Sequence, residues 1–226
     1  MKRICSLLFL LSLQLCLAQG EVPDDVGFVR FMNLIDAGQG KVDLKIDGST
    51  IWKPGYTLGQ RTGALPYRGG KRSFLVSREG CLPAEREITV EAGKAQTVVA
   101  FAEEEFDENG ESLGWQIKLA RLAQHTPESG LVVTFISFCK EDVIDLEITE
   151  AMSQKTFKQA VNKRRTTRLK LVENGRVRAS VKCGGDYIGT IKVDDEGNYV
   201  AFIFEGDEGR KKLITFYDPE FMISGS

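Results

Sequence analysis

Phe28-Val-Arg-Phe-Met-Asn33 places apolar side chains on both faces of an extended chain, the pattern of a strand covered on both sides. Val42-Asp-Leu-Lys-Ile46 alternates apolar with charged residues instead, which predicts a strand with one wet face. The glycine-rich stretch Asp36-Ala-Gly-Gln-Gly40 separates them, and Asp47-Gly48 turns the second strand. Residues 71–77, 87–90, 96–101 and 114–122 continue in strand phase. Glu91-Ala-Gly-Lys94 and Asp107-Glu-Asn-Gly110 read as hairpin turns between them. Residues 49–70 are irregular, with Trp52, Tyr56 and Tyr67 set among Pro54, Gly55, Gly59, Gly63, Pro66, Gly69 and Gly70.

The opening pattern then returns. Val132-Val-Thr-Phe-Ile-Ser137 and Ile144-Asp-Leu-Glu-Ile148 repeat it at offsets of 104 residues (Phe31 to Phe135) and 102 residues (Leu44 to Leu146). Ile88 to Ile191, Val90 to Val193 and Phe101 to Phe204 are each 103 apart. A one-residue slip would turn every side chain to the wrong face, so retained phase at both ends of the unit points to an internal duplication. Short strands at regular spacing predict an all-β chain of two β-sandwiches. Their expected limits are 21–124 and 131–226, with His125-Thr-Pro-Glu-Ser-Gly130 as a linker at 125–130. Residues 149–165 are the one stretch that reads as a short helix. Met152, Thr156, Phe157 and Ala160 fall at helical spacing there, and glycine and proline are absent.

Residues 1–20 read as a secretory signal peptide. Met1-Lys-Arg is a positive start, residues 4–17 are uncharged and mostly apolar, and Cys16-Leu-Ala18 fits a cleavage site. Cleavage after Ala18 or Gly20 is expected, rather than lipid attachment at Cys16, which follows the bulky Leu15. The run is short for a membrane span and no second long run follows, so the expected destination is the periplasm, the cell surface or the medium, with no membrane-spanning segment in the mature chain. Loss of Lys2 and Arg3 takes the formal charge from −2 to −4, and mixed signs throughout argue against nucleic acid as a partner.

Val29-Arg-Phe-Met-Asn-Leu34, Val42-Asp-Leu-Lys-Ile-Asp-Gly48 and Ile88-Thr-Val-Glu-Ala-Gly-Lys-Ala-Gln-Thr-Val-Val-Ala100 resemble the bacterial exported domain-of-unknown-function 4397 family. The resemblance is clearest over residues 28–101 and reaches the second copy through the internal repeat. It implies immunoglobulin-like sandwiches, often in tandem, in envelope or secreted proteins, and it brings no catalytic residues. The family's usual proline-containing loop after the first strand is replaced here by Asp36-Ala-Gly-Gln-Gly40.

Candidate chemistry is sparse. His125 is the sole histidine, and neither a Gly-x-Ser-x-Gly elbow nor a phosphate-cradling glycine loop occurs, so a non-catalytic chain without cofactor or metal is expected. A hydrolase using turn carboxylates is a further alternative. Asp107-Glu-Asn-Gly-Glu111 and Asp194-Asp-Glu-Gly-Asn198 offer oxygen ligands for calcium, or are simply acidic turns. Trp52, Tyr56 and Tyr67 either stack on sugar rings of a polysaccharide or close one end of a core. Lys155, Lys158, Lys163, Arg164, Arg165 and Arg168 either form a patch for an anionic surface or a solvated face. Cys81, Cys139 and Cys183 remain after leader removal. Cys139 and Cys183 can pair, or all three act as small apolar residues. The expected role is an envelope interaction or structural module with a protein or polysaccharide partner.

Overall fold

The computed structural model describes residues 24–125, 131–170, 177–194, 197–218 and 222–225. The expected leader and most of the expected linker lie outside them. The first half forms β1 (Val26–Asn33), β2 (Gln39–Ile46), β3 (Ser49–Thr50), β4 (Leu65–Arg68), β5 (Gly70–Glu79), β6 (Cys81–Leu82), β7 (Ala84–Val90), β8 (Ala95–Phe106) and β9 (Ser112–His125). The second half forms β10 (Val132–Ser137), β11 (Val143–Glu150), β12 (Thr156–Asn162), β13 (Thr166–Lys170), β14 (Val177–Cys183), β15 (Asp186–Val193), β16 (Asn198–Glu205), β17 (Lys211–Tyr217) and β18 (Met222–Gly225). The chain is all-β, with a single 3₁₀ turn at Asp207–Gly209 among the described residues.

Each half is a sandwich of two sheets. In the first, β3-β2-β5-β7 faces β9-β8-β1-β4; in the second, β12-β11-β14-β15 faces β13-β10-β16-β17. The two are built alike. β1 runs parallel to β8 and antiparallel to β4, as β10 runs parallel to β16 and antiparallel to β13. This is the topology expected of a duplicated unit. Alternation decides which side chains go inside. Val29, Phe31, Leu44, Ile46, Phe74, Val76, Val98 and Ala100 fill the first core. Val133, Phe135, Leu146, Ile148, Val181, Ile191 and Ala201 fill the second.

A third apolar cluster lies between the sandwiches. Met32, Leu34, Val99, Phe101 and Leu122 from the first half pack with Ile136, Phe138, Val200, Phe202 and Phe204 from the second. These positions correspond through the repeat: Met32 to Ile136, Leu34 to Phe138, Val99 to Phe202, Phe101 to Phe204. The equivalent sheet of each copy therefore supplies the same outward face, and the fold is four sheets deep. This accounts for the two-sided apolar pattern of β1 and for β16, which is buried along its whole length. Phe101 and Phe138 meet with ring centroids 4.7 Å apart, and Phe138 and Phe202 at 6.1 Å. Ion pairs at the margin join the halves. Asp218 takes Arg30 at 2.6 Å and Arg61 at 3.5 Å, Glu103 takes Lys163 at 3.1 Å and Arg164 at 3.0 Å, and Asp36 pairs with Lys212.

Three expectations are corrected. Residues 149–165 hold no helix: β11 ends at Glu150, a turn follows, and β12 begins at Thr156. The helical spacing was accidental, because Phe157, Gln159 and Val161 alternate inward with period two and Met152 is 93% exposed. His125 is not linker but the last residue of β9, paired with Met222. Met222–Gly225, counted with the second unit, returns to the first and adds β18 antiparallel to β9. An open strand edge has unpaired backbone donors and acceptors, and β18 satisfies those at the end of β9.

Phe202→Ala is expected to cost about 3–5 kcal/mol, the usual loss for a fully buried phenylalanine. Both tryptophans, Trp52 and Trp115, are in the first sandwich. Their fluorescence should nevertheless report the whole destabilisation, coincident with far-ultraviolet circular dichroism in a urea titration. An unmoved tryptophan transition would show that the sandwiches unfold independently.

Candidate functional site

The irregular segment between β3 and β4 is pinned at almost every turn. Asp47 and Gly48 both adopt positive φ, 49° and 76°, which closes the β2–β3 hairpin. Ile51 N–H donates to Leu44 C=O at 3.0 Å, and Gly55 N–H donates to Trp52 C=O at 3.0 Å, making a tight turn that carries the indole outward. Gly55 is required there. Its φ is +73°, and a Cβ would lie 2.9 Å from Cβ of Lys41. Tyr56 and Val42 exchange backbone hydrogen bonds at 2.8 and 2.9 Å. Asn33, fully buried, organises the next stretch: its side-chain amide donates to Tyr56 C=O at 3.2 Å, its carbonyl accepts from Gly59 N–H and its N–H donates to Gln60 C=O. Thr62 closes the segment, its hydroxyl accepting Phe31 N–H at 2.9 Å.

The product is a groove of about 380 Å³ lined by Ile51, Trp52, Tyr56, Gln60, Arg61, Thr62, Gly63 and Leu65. Trp52 is 40% exposed and Tyr56 only 4%. Their rings meet edge to face at 5.2 Å, and Tyr56 in turn packs on Phe31 at 5.3 Å. The indole is thus an exposed aromatic surface braced from beneath by the core, with Lys41 Nζ 6.0 Å from its centroid. Burial pushes the Tyr56 phenol above its ordinary pKa, so it is neutral and serves as support. Tyr67 does not line the groove. It is half-buried on β4 against the first core, with the Arg72 guanidinium 5.8 Å from its ring centroid. Of the three aromatics singled out in the sequence, one is presented to solvent, one props it and one closes the core margin. Gln60, Arg61, Thr62 and Leu65 were missed. The only signal for them was membership of the same irregular segment.

The basic residues of the second half do not make a patch. Lys158 pairs with Glu147 on the neighbouring strand at 3.7 Å and Lys155 lies over Phe157 at 5.0 Å. Lys163 and Arg164 turn toward the first sandwich and Glu103, Arg165 is exposed in the β12–β13 turn, and Arg168 is on β13. β12 and β13, in different sheets, separate what a helix would have aligned. The first acidic turn, at Asp107–Glu111, resolves as a turn. Asp107 carboxylate accepts the backbone N–H groups of Asn109 at 2.9 Å and Glu111 at 2.8 Å, which holds its pKa below the usual range and occupies one of its oxygens. Asp194 pairs with Arg178 at 3.8 Å, while Asp195 and Glu196 lie outside the described residues.

Cys81, Cys139 and Cys183 are all free thiols. The possible Cys139–Cys183 disulfide is not formed; both cysteines belong to the apolar core of the second sandwich, Cys139 after β10 in one sheet and Cys183 at the end of β14 in the other. Cys139 is completely buried, which raises its thiol pKa to about 12. Its sulfur and the carboxylates of Glu141 and Glu205 all lie within 4.8 Å of one another, a grouping that could ligate a metal. Lys211 already supplies a cation there, 2.6 Å from Glu141. Burial opposes both shifts, yet Glu141 lies below its ordinary pKa and Lys211 above its own, with the hydrogen-bonded pair favouring the charged form of each. Glu205, 8% exposed, is pushed upward by burial.

No helix among the described residues is long and apolar enough to cross a membrane. No family model matches the chain, and no curated protein matches it. Among solved structures, a candidate cell adhesion protein from Bacteroides ovatus ATCC 8483 aligns over 88% of this chain and 97% of its own, at 9% identity and a TM-score of 0.27.

Two measurements check this part of the molecule. Because Glu205 binds its proton more tightly folded than unfolded, the stability linked to it is fully present below its unfolded pKa near 4.5 and is lost as pH rises through the raised folded value. Glu205→Gln should therefore diminish the loss of stability on going from pH 4 to pH 7, and raise Tm at pH 7. Cys139 should resist a thiol reagent in the native protein at pH 8 and react only on unfolding, as peptide mapping of the labelled chain would show.

Proposed function

We propose that the chain is an exported, non-catalytic binding module that presents the Trp52 groove to a ligand of the cell envelope. The observation that carries this reading is the half-exposed indole held edge-on by a buried tyrosine, in a concave site with polar groups at its rim. An unsupported tryptophan on a loop would lose side-chain freedom on binding, whereas this one is already fixed. The leader pattern supports export. The single histidine and the missing nucleophile motifs support a role without catalysis.

Polysaccharide is the ligand class the groove favours. An exposed indole covers the apolar face of a sugar ring, and Gln60, Arg61 and Thr62 line the same groove. A protein contact through the same surface is the second reading, and the extent of the exposed apolar area, essentially one side chain, makes it the smaller claim.

Trp52→Ala should leave Tm within a few degrees and reduce retention on cell-envelope polysaccharide roughly tenfold, about 1.4 kcal/mol. Affinity electrophoresis and an envelope pull-down, each run with both proteins, read this directly. Equal retention of the two proteins would remove the groove from the argument. Sustained release of reducing ends by the wild type would overturn the non-catalytic reading.

A further inference from the structure

A second groove lies at the opposite edge of the first sandwich, where β7 passes β9. It has a volume of about 570 Å³, and its lining includes Arg86, Glu87, Thr89, Leu119, Arg121 and Arg164. Three arginines from three separate elements line it: Arg86 from β7, Arg121 from β9, and Arg164 from the β12–β13 turn of the other sandwich. The groove is thus formed mostly by the first sandwich, and the second contributes Arg164 to it.

The arginines are fixed to different degrees. Arg164 pairs with Glu103 at 3.0 Å, its guanidinium 5.2 Å from the Phe101 ring centroid. Arg121 bonds Glu91 at 3.2 Å and the Thr89 carbonyl at 3.4 Å. Arg86 donates one N–H to the Leu119 carbonyl at 2.7 Å and makes no ion pair among the described residues. The one acid lining the groove, Glu87, is engaged by Lys71 at 2.9 Å. A chain of net charge −2 thus concentrates three arginines around one concavity, and the charge of Arg86 has no carboxylate against it. A guanidinium presents a planar fork of donors that matches an oxyanion two bonds at a time.

We propose that this groove binds an acidic oligosaccharide, with Arg86, Arg121 and Arg164 each facing an anionic group along its length. Three cations drawn from β7, β9 and the facing sandwich suit several spaced charges better than one, and the volume is in the range of small-ligand clefts. Carboxylate and sulfate groups share the required chemistry. The site is separate from the Trp52 groove and does not depend on it.

The probes are an oligogalacturonate tetramer, a sulfated oligosaccharide of equal length and inorganic phosphate, each titrated by calorimetry against the full mature chain. Arg86→Gln is the informative variant, since Arg86 is exposed and makes no ion pair among the described residues; an unchanged Tm separates lost binding from loss of its hydrogen bond to the Leu119 carbonyl. Saturable binding of either oligosaccharide, weakened about tenfold or more by Arg86→Gln and by added salt but unchanged by Trp52→Ala, is expected. Arg86→Lys should recover part of the affinity, because charge returns without the fork. Relative affinity for the two oligosaccharides identifies the anionic group. The proposal is overturned if neither oligosaccharide binds saturably, if Arg86→Gln binds as well as wild type, or if phosphate binds as tightly as the oligosaccharides. Loss of binding in Trp52→Ala with Arg86→Gln unaffected would assign the ligand to the other groove.

Discussion

The apolar contact between equivalent sheets of the two repeats is the constraint on which the remainder of the molecule depends. Each copy of the duplicated unit makes a sandwich whose second sheet still has an apolar outer face. Water would be in contact with Met32, Leu34, Val99 and Phe101 in one copy, and with Ile136, Phe138, Phe202 and Phe204 in the other, were the faces apart. Each face is the natural cover for its counterpart, as in an isologous dimer interface, here made within one chain. The hydrophobic gain from closing it is what makes four layers of sheet one body.

Polar chemistry at the rim then sets how the halves sit. Arg30, Arg61 and Asp218 close one margin, and Glu103 with Lys163 and Arg164 another. The two crossing arginines come from matching connections, Arg61 ahead of β4 and Arg164 ahead of β13, and each lies over a phenylalanine of the other sandwich: Phe216 for Arg61 at 5.4 Å, Phe101 for Arg164 at 5.2 Å. Partly buried pairs of this kind add little net stability but penalise any other docking angle, since a shift would strand a charge away from water. Both grooves inherit this geometry. Arg61 lines one and Arg164 the other, so each site is tied to the sandwich interface through an arginine.

Rigid scaffolding also explains why an irregular segment can make a site. Residues 49–70 contain little strand, yet Asn33, Val42 and Thr62 bond them to β1 and β2 at short intervals. Trp52 gains a defined position from these backbone contacts and from Tyr56 beneath it. The Cys139 cluster in the second sandwich shows the opposite outcome. Its ionisable groups are gathered around Lys211, which answers their charge internally.

What the sequence determined by itself was the set of properties that depend on local periodicity. Alternation placed Val42, Leu44 and Ile46 inside and Asp43 and Lys45 outside, and retained phase across 103 residues revealed the duplication. Double-sided apolarity marked β1 as covered on both faces without saying by what. Where two periodicities competed, as over residues 149–165, the local signal misled, because partner strands rather than helical spacing selected the conformation. Tertiary structure alone decided that the sheets containing β1 and β10 pack on one another, that Trp52 is exposed while Tyr56 is not, and that β18 crosses back to β9. It also brought together Arg86, Arg121 and Arg164, scattered over 79 positions of the chain. The physical reason is common to all of these. Burial and charge proximity are set by which surfaces meet in space, and contacts between distant segments leave no period in the residues that make them.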